Sequence, residues 1–124
     1  VAGMVITTAV KSCHTGLQYH SEDPDTELVD LDKTGKDLHI RFFQEGDAFY
    51  PLGMKNRKKL KDFFIFEKVP VYRRRRIPII TAGDNIICIA GMRIDERFKI
   101  TKSTRNVLQI NILRTRDSNV SAKY

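Results

Sequence analysis

Runs of apolar residues, some alternating and some continuous, mark most of the elements along this chain. Residues 4–11, "MVITTAVK", are β-branched and read as a strand. In "TELVDLD", Val29 and Leu31 share one face, with Leu28 and Asp30 on the other, as in a short strand. "DLHIRFFQ" sets Leu38, Ile40 and Phe42 against His39, Arg41 and Phe43, the signature of a half-buried strand. "KTGK" lies between these two segments and reads as a turn, so residues 27–32 and 37–44 are expected to pair as a hairpin. "IPIITA", "NIICIAGM" and "NVLQINILRT" are further strands, and "GDN" joins the first two in a tight turn.

A helical period enters after the turn-rich stretch "EGDAFYPLGM". Leu60, Phe63 and Phe64 stand at i, i+3 and i+4, Lys58 and Lys61 project from the other side, and Pro70 is expected to end the helix. "YRRRR" reads as a turn or a short helical piece, and "RIDERFKITKST" as a loop or short helix. The fold class that follows is α+β and β-rich: mostly antiparallel sheets, about six strands, and one or two short helices. The polar tail 117–124 is expected to fray.

Length and composition narrow the picture without deciding it. The 124 residues fit a single domain, 1–124, large enough to fold without metal or disulfide. No apolar run approaches the ~20 residues that span a bilayer, and no signal peptide is visible, so the expectation is a cytoplasmic protein with no membrane partner. Two cysteines, Cys13 and Cys88, suit a reducing compartment, with Cys88 inside an apolar strand. The first residue is Val1, which suggests a piece of a longer polypeptide.

Charge changes the picture more. The net charge is +7, and its source is local. Between Lys55 and Arg76 lie ten basic residues: Lys55, Arg57, Lys58, Lys59, Lys61, Lys68, Arg73, Arg74, Arg75 and Arg76. Only Asp62 and Glu67 oppose them, and the rest of the chain is close to neutral. Such a window can be a solvated lysine-rich helix face. Two features favour nucleic acid instead: the excess is largely unpaired in sequence, so a polyanion would relieve its self-repulsion, and four successive arginines offer planar forks that suit phosphate oxygens. Neutralising phosphates releases counterions and makes such binding salt-dependent.

Other chemistry finds little support. There is no G-x-x-x-x-G-K-[ST] and no G-x-G-x-x-G, so no phosphate-cradling glycine loop. Cys13, His14 and His20 lack the spacing of a metal site. Asp47 and Asp62 read as turn and helix carboxylates that cap or pair rather than catalyse. "NVS" at 119–121 matches a glycosylation acceptor but lacks a secretory context.

The order "GDAFYPLGMKNRKKLKDFFIFEKVP", then "GMRIDERFKITKST", resembles the C-terminal domain of tRNA(Ile)-lysidine synthetases, the MesJ or TilS family, over about residues 28–113. Gly46, Asp47, Pro51, Gly53, Met54, Lys58, Lys59, Lys61, Asp62, Lys68, Pro70, Arg74, Pro78, Gly91, Arg93, Thr101 and Thr104 fall on the family pattern. The pattern's Arg after Gly-Asp is Ala48 here. A common Gly is Asn56, which tolerates a left-handed backbone, a common Asp is Phe66, and a common Arg is Val71.

The resemblance implies a parent enzyme that uses ATP and Mg²⁺ to adenylate the wobble cytidine of an isoleucine tRNA. Lysine then displaces AMP to leave lysidine, and the tRNA reads AUA. That chemistry belongs to an N-terminal catalytic domain with a Ser-Gly-Gly-x-Asp-Ser motif, which this chain lacks. The C-terminal domain is expected to need no cofactor, to grip the tRNA acceptor stem, and to share its fold with a domain of the phenylalanyl-tRNA synthetase β subunit. Its RNA-binding candidates are the ten basic residues above together with Arg93. The competing expectations are a basic domain that docks on an acidic protein surface, "SEDPDTELVDLD" being one such surface within the chain, and, less well supported, a stand-alone enzyme.

Overall fold

A computed structural model describes residues 4–12 and 23–113. The strand-rich, antiparallel architecture expected from the sequence is present. In chain order the elements are β1 (Val5–Ser12), β2 (Thr26–Asp30), a single helical turn α1 (Leu31–Thr34), β3 (Leu38–Arg41), β4 (Ala48–Phe49), β5 (Lys58–Lys59), α2 (Leu60–Phe66), α3 (Val71–Arg74), β6 (Ile79–Ala82), β7 (Asn85–Ile89), β8 (Arg93–Ile94), a 3₁₀ turn (Glu96–Phe98) and β9 (Asn106–Leu113). A three-stranded sheet runs β1-β9-β2, a four-stranded sheet β3-β6-β7-β8, and β4 pairs with β5 in a short ribbon. Every strand pairing is antiparallel. The metal reading of Cys13, His14 and His20, the acceptor at 119–121 and the tail 117–124 lie outside the described residues.

The four-stranded sheet is covered on both faces, which explains why β6 and β7 read as continuous apolar runs. Ile80, Ala82, Ile87 and Cys88 meet Val29, Leu108 and Ile110 of the three-stranded sheet. Ile79, Ile86 and Ile89 meet α2 on the other side. Strict alternation in β7 breaks at Ile87: the register passes from Ile80↔Cys88 to Thr81↔Ile86. The extra residue of this bulge turns both Ile87 and Cys88 to the same core. Cys88 is fully buried, as expected, and burial pushes its thiol well above the usual range.

Two sequence expectations fail, for tertiary reasons. Residues 27–32 and 37–44 do not form a hairpin. β2 pairs with β9, with Val29 opposite Leu108, while β3 pairs with β6, with Ile40 opposite Ile80. "LDKT" of the predicted strand and turn is helical instead, because the Asp30 side chain accepts the Asp32 N–H at 2.9 Å and caps α1. The same carboxylate takes the Thr104 hydroxyl at 2.7 Å, while Asp32 takes the N–H groups of Arg105 and Asn106. These bonds stitch the end of β2 to the start of β9.

The predicted helix is also shorter than expected. Lys58 and Lys59 are strand residues in the β4–β5 ribbon, and Pro70 precedes α3 rather than ending α2. α2 stops at Phe66 because Lys68 takes a left-handed backbone, φ 59°, and the Val69 N–H turns back to the Phe64 carbonyl. Asn56, expected to tolerate that conformation, does not adopt it. The buried face of α2 is as predicted: Leu60, Phe63 and Phe64 are almost wholly enclosed. Phe63 meets Phe49 edge-on at 5.1 Å, and Phe64 meets Phe43 at 6.1 Å.

One buried carboxylate joins the ribbon region to the sheet. Asp95 has no exposed surface. It accepts the Tyr50 N–H at 3.0 Å, the Arg97 N–H at 2.8 Å, and Arg97 Nε and Nη2 at 3.0 Å each. Its own N–H donates to the Ile87 carbonyl on the bulge at 2.9 Å. Bonding to Asp95 raises the Arg97 pKa above its ordinary value. Removing the carboxylate leaves two backbone N–H groups without their acceptor and the partly exposed Arg97 guanidinium without its charged partner. Asp95→Ala is therefore expected to lower the unfolding free energy by about 3 kcal/mol or more, measured by urea denaturation at neutral pH.

Candidate nucleic-acid interface

The basic window folds as the ribbon strand β5, the exposed side of α2, the α2–α3 connection and α3. Burying Leu60, Phe63 and Phe64 forces Lys61 outward on α2. On β5 successive side chains diverge. Lys59 is exposed, whereas Lys58 is half-buried with its ammonium 5.1 Å over the Phe66 ring. Two adjoining hollows, of about 290 and 110 Å³, share Phe43, Glu45 and Lys61 as walls. Lys59 lines the first of them, and Arg74 and Arg75 the second. The fold therefore gathers Lys59, Lys61, Arg74 and Arg75 along one continuous surface, though 13 or more positions separate the lysines from the arginines.

Other candidates stand apart. Arg57 lines a separate hollow of about 240 Å³ with Tyr50 and Arg97. Lys55, Lys68, Arg73 and Arg76 are exposed. Arg74 Nε donates to the Val69 carbonyl at 2.9 Å, which steadies the α3 turn against the end of α2. Arg93 lies 3.5 Å from Glu67 and stacks over Phe63. Among the described residues it is the one candidate of the eleven with an acidic partner.

Asp47 pairs as its turn position suggested. It takes both Arg41 nitrogens, at 2.9 and 3.0 Å, and the Gln44 N–H at 2.8 Å. Asp30 and Asp32 of the acidic stretch are occupied by Thr104, Arg105 and Asn106 rather than by the basic window. Among the described residues there is no group of three or more His, Cys, Asp or Glu placed to hold a metal ion. No helix among them is long and apolar enough to cross a membrane.

Sequence reading missed Arg97, which stacks 4.6 Å over Tyr50 and faces the same hollow as Arg57. A lone arginine after two acids carries no signal in the sequence. It also missed Glu27, which lines a hollow of about 320 Å³ with Leu52, Met92 and Arg93. Burial raises the Glu27 carboxyl from 4.5 to about 7.

Residues 38–112 match the family model described as the TilS substrate C-terminal domain. The chain belongs to that family. The tRNA(Ile)-lysidine synthase of Clostridium acetobutylicum is 49% identical over 88 residues, covering 71% of this chain and 19% of that protein. The synthase of Dehalococcoides mccartyi is 39% identical over 108 residues, covering 87% of this chain and 23% of that protein. This chain thus spans about a fifth of the length of its curated relatives.

Among solved structures, a TilS C-terminal domain superposes with a TM-score of 0.75 at 22% identity, over 93% of this chain and 87% of that one. An N-terminal fragment of the phenylalanyl-tRNA synthetase β subunit from Pyrococcus horikoshii superposes at 0.55 with 20% identity, over 70% of this chain and 27% of that one. Both likenesses concern the fold alone, and the second bears out the expected likeness in fold to a part of the β subunit.

Two outcomes follow from the site. A glycine fits the left-handed position 68 better than lysine does, so Lys68→Gly is expected to raise stability by about 1 kcal/mol in denaturant melts while removing one surface charge. Glu27 in the folded chain keeps a proton that the unfolded chain releases near pH 4.5. Its contribution to stability is therefore greatest below pH 4.5, falls as pH rises to about 7, and is flat above. Glu27→Gln is expected to flatten that part of the profile, read as the difference in urea midpoint between about pH 5 and about pH 8.

Proposed function

We propose that this chain is the tRNA-gripping C-terminal part of a tRNA(Ile)-lysidine synthase, and that the surface of β5, α2 and α3 holds phosphate oxygens of the acceptor stem of an isoleucine tRNA. The observation that carries this reading is the unspent charge: ten of the eleven basic candidates have no acidic partner among the described residues. Four of them converge on one surface. Arginines and lysines held on short helices and a strand carry the sign that suits an A-form backbone, which is read by shape and by phosphate and 2′-hydroxyl contacts.

The reading assigns no chemical step to this chain. Adenylation of the wobble cytidine, its ATP and Mg²⁺, and attack by lysine belong to a catalytic domain of the same polypeptide, in the cytoplasm. The role left to the residues described here is positioning: holding the far end of the tRNA fixes where its anticodon falls. Arg57, Lys55, Lys68, Arg73 and Arg76 extend the positive field around the central four and steer the RNA inward.

Replacing Lys59, Lys61 and Arg75 together by Ala tests the reading. Isoleucine tRNA affinity is expected to fall at least about tenfold, and the log–log salt slope to become shallower by roughly 2 to 3, with the thermal midpoint nearly unchanged. Unaltered tRNA affinity in this triple variant overturns the proposal. Salt-sensitive binding to an acidic protein domain, with none to tRNA, replaces it with a protein-docking role.

A further inference from the structure

Four large apolar side chains where α2 meets α3 face solvent: Ile65 is 52% exposed, Phe66 71%, Val71 73% and Tyr72 71%. The same segment already anchors itself through Phe63, Phe64 and Val69, so these four are surplus to the core. All four flank the tight turn that joins α2 to α3. The Lys68 N–H returns to the Ile65 carbonyl at 3.0 Å, the Val69 N–H returns to Phe64, and Pro70 leads directly into α3. Exposed apolar side chains grouped in this way mark a surface that another molecule covers.

Charge selects that molecule. The Lys58 ammonium sits 5.1 Å over the Phe66 ring. Lys68, Arg73, Arg75 and Arg76 are exposed in the same stretch of chain. A second copy of this chain would bring the same positive charge to the contact. A nucleic acid brings the opposite charge, but a duplex hides the faces of its bases. Unpaired nucleotides present both phosphates and apolar ring faces, which aromatic side chains stack on.

We infer that Phe66 and Tyr72 form a stacking platform for unpaired bases, adjoining the surface that holds duplex phosphates. This rests on the RNA-binding reading above and sharpens it. The lysines and arginines take the backbone of the paired stem, and the two rings take the bases of a single-stranded extension such as the unpaired 3′ end of an acceptor stem. Lys58 holds the Phe66 ring from one side and leaves its other face for a base.

The test compares two RNA hairpins of identical stem, one blunt and one with a 3′ extension of about four nucleotides carrying 2-aminopurine, by fluorescence anisotropy at fixed salt. The unmodified chain is expected to bind the extended hairpin about tenfold more tightly, with quenching of the 2-aminopurine. Phe66→Leu and Tyr72→Leu should each reduce that ratio several-fold and relieve the quenching, while affinity for the blunt hairpin and the thermal midpoint stay as they were. Phe66→Tyr keeps an aromatic face and should retain the ratio.

Equal affinity for the two hairpins, or leucine variants with an undiminished ratio, overturns the platform and leaves the duplex reading standing. Absence of salt-sensitive binding to either hairpin overturns both. Self-association in sedimentation that Phe66→Leu abolishes, without any effect on RNA, assigns the patch to a protein contact and overturns the platform.

Discussion

A carboxylate with no access to water must have its charge met on every side, and Asp95 meets that demand with the Tyr50 N–H, the Arg97 N–H and two nitrogens of the Arg97 guanidinium. An unpaired charge at such depth costs several kcal/mol, so losing these partners is strongly disfavoured. That arrangement locks the segment after β4 onto the segment after β8. The Glu96 N–H then reaches the Tyr50 carbonyl at 2.6 Å, and the Leu52 N–H reaches the Ile94 carbonyl at 3.0 Å. The ribbon leads into α2, whose first N–H, that of Leu60, is taken by the Asp47 carbonyl. The position of the basic surface on the sheet thus depends on this buried charge together with the apolar contacts of α2.

The crowding of lysine beside phenylalanine resolves into two faces of one short helix. Leu60, Phe63 and Phe64 fill the space over Ile79, Ile86 and Ile89, and truncating one buried aromatic residue in such a place costs about 3–5 kcal/mol. Repulsion between neighbouring solvated cations is weaker, about 1 kcal/mol for a pair at 4 Å in water. The core therefore holds the charges in place against their mutual repulsion, and the fold tolerates a surface whose charge remains unspent. A rigid, unsatisfied positive surface suits a polyanion better than a flexible one, because less ordering entropy is lost on contact.

Several residues of the family pattern serve the scaffold rather than the ligand. Asp47 closes a turn through Arg41, and Thr104 pins Asp30 at the joint between β2 and β9. Gly53 runs at φ 90°, a backbone open to glycine at no cost, and its N–H meets the Glu96 carboxylate. Arg93 spends its charge on Glu67. Lys59, Lys61 and Arg74, by contrast, form no ion pair among the described residues and line the two adjoining hollows, the first of which also carries Glu45, Asp47 and Asp62.

Local patterns in the sequence determined a good deal about this protein. The i, i+3, i+4 spacing of Leu60, Phe63 and Phe64 determined the buried side of α2, and the apolar runs around "GDN" determined the β6–β7 hairpin. The count of arginines and lysines determined where the charge excess lies. These properties reside in side chains a few positions apart, and a helix or strand displays them wherever it is placed. Only the tertiary structure decided that β2 joins β9 and not β3, because pairing depends on which distant strand offers a matching edge and on Asp30 capping α1 instead of continuing a strand. It also decided that Lys59, Lys61, Arg74 and Arg75 share one surface and that Phe66 and Tyr72 stay outside the core. Exposure and convergence are set by neighbours far along the chain, and no periodicity records them.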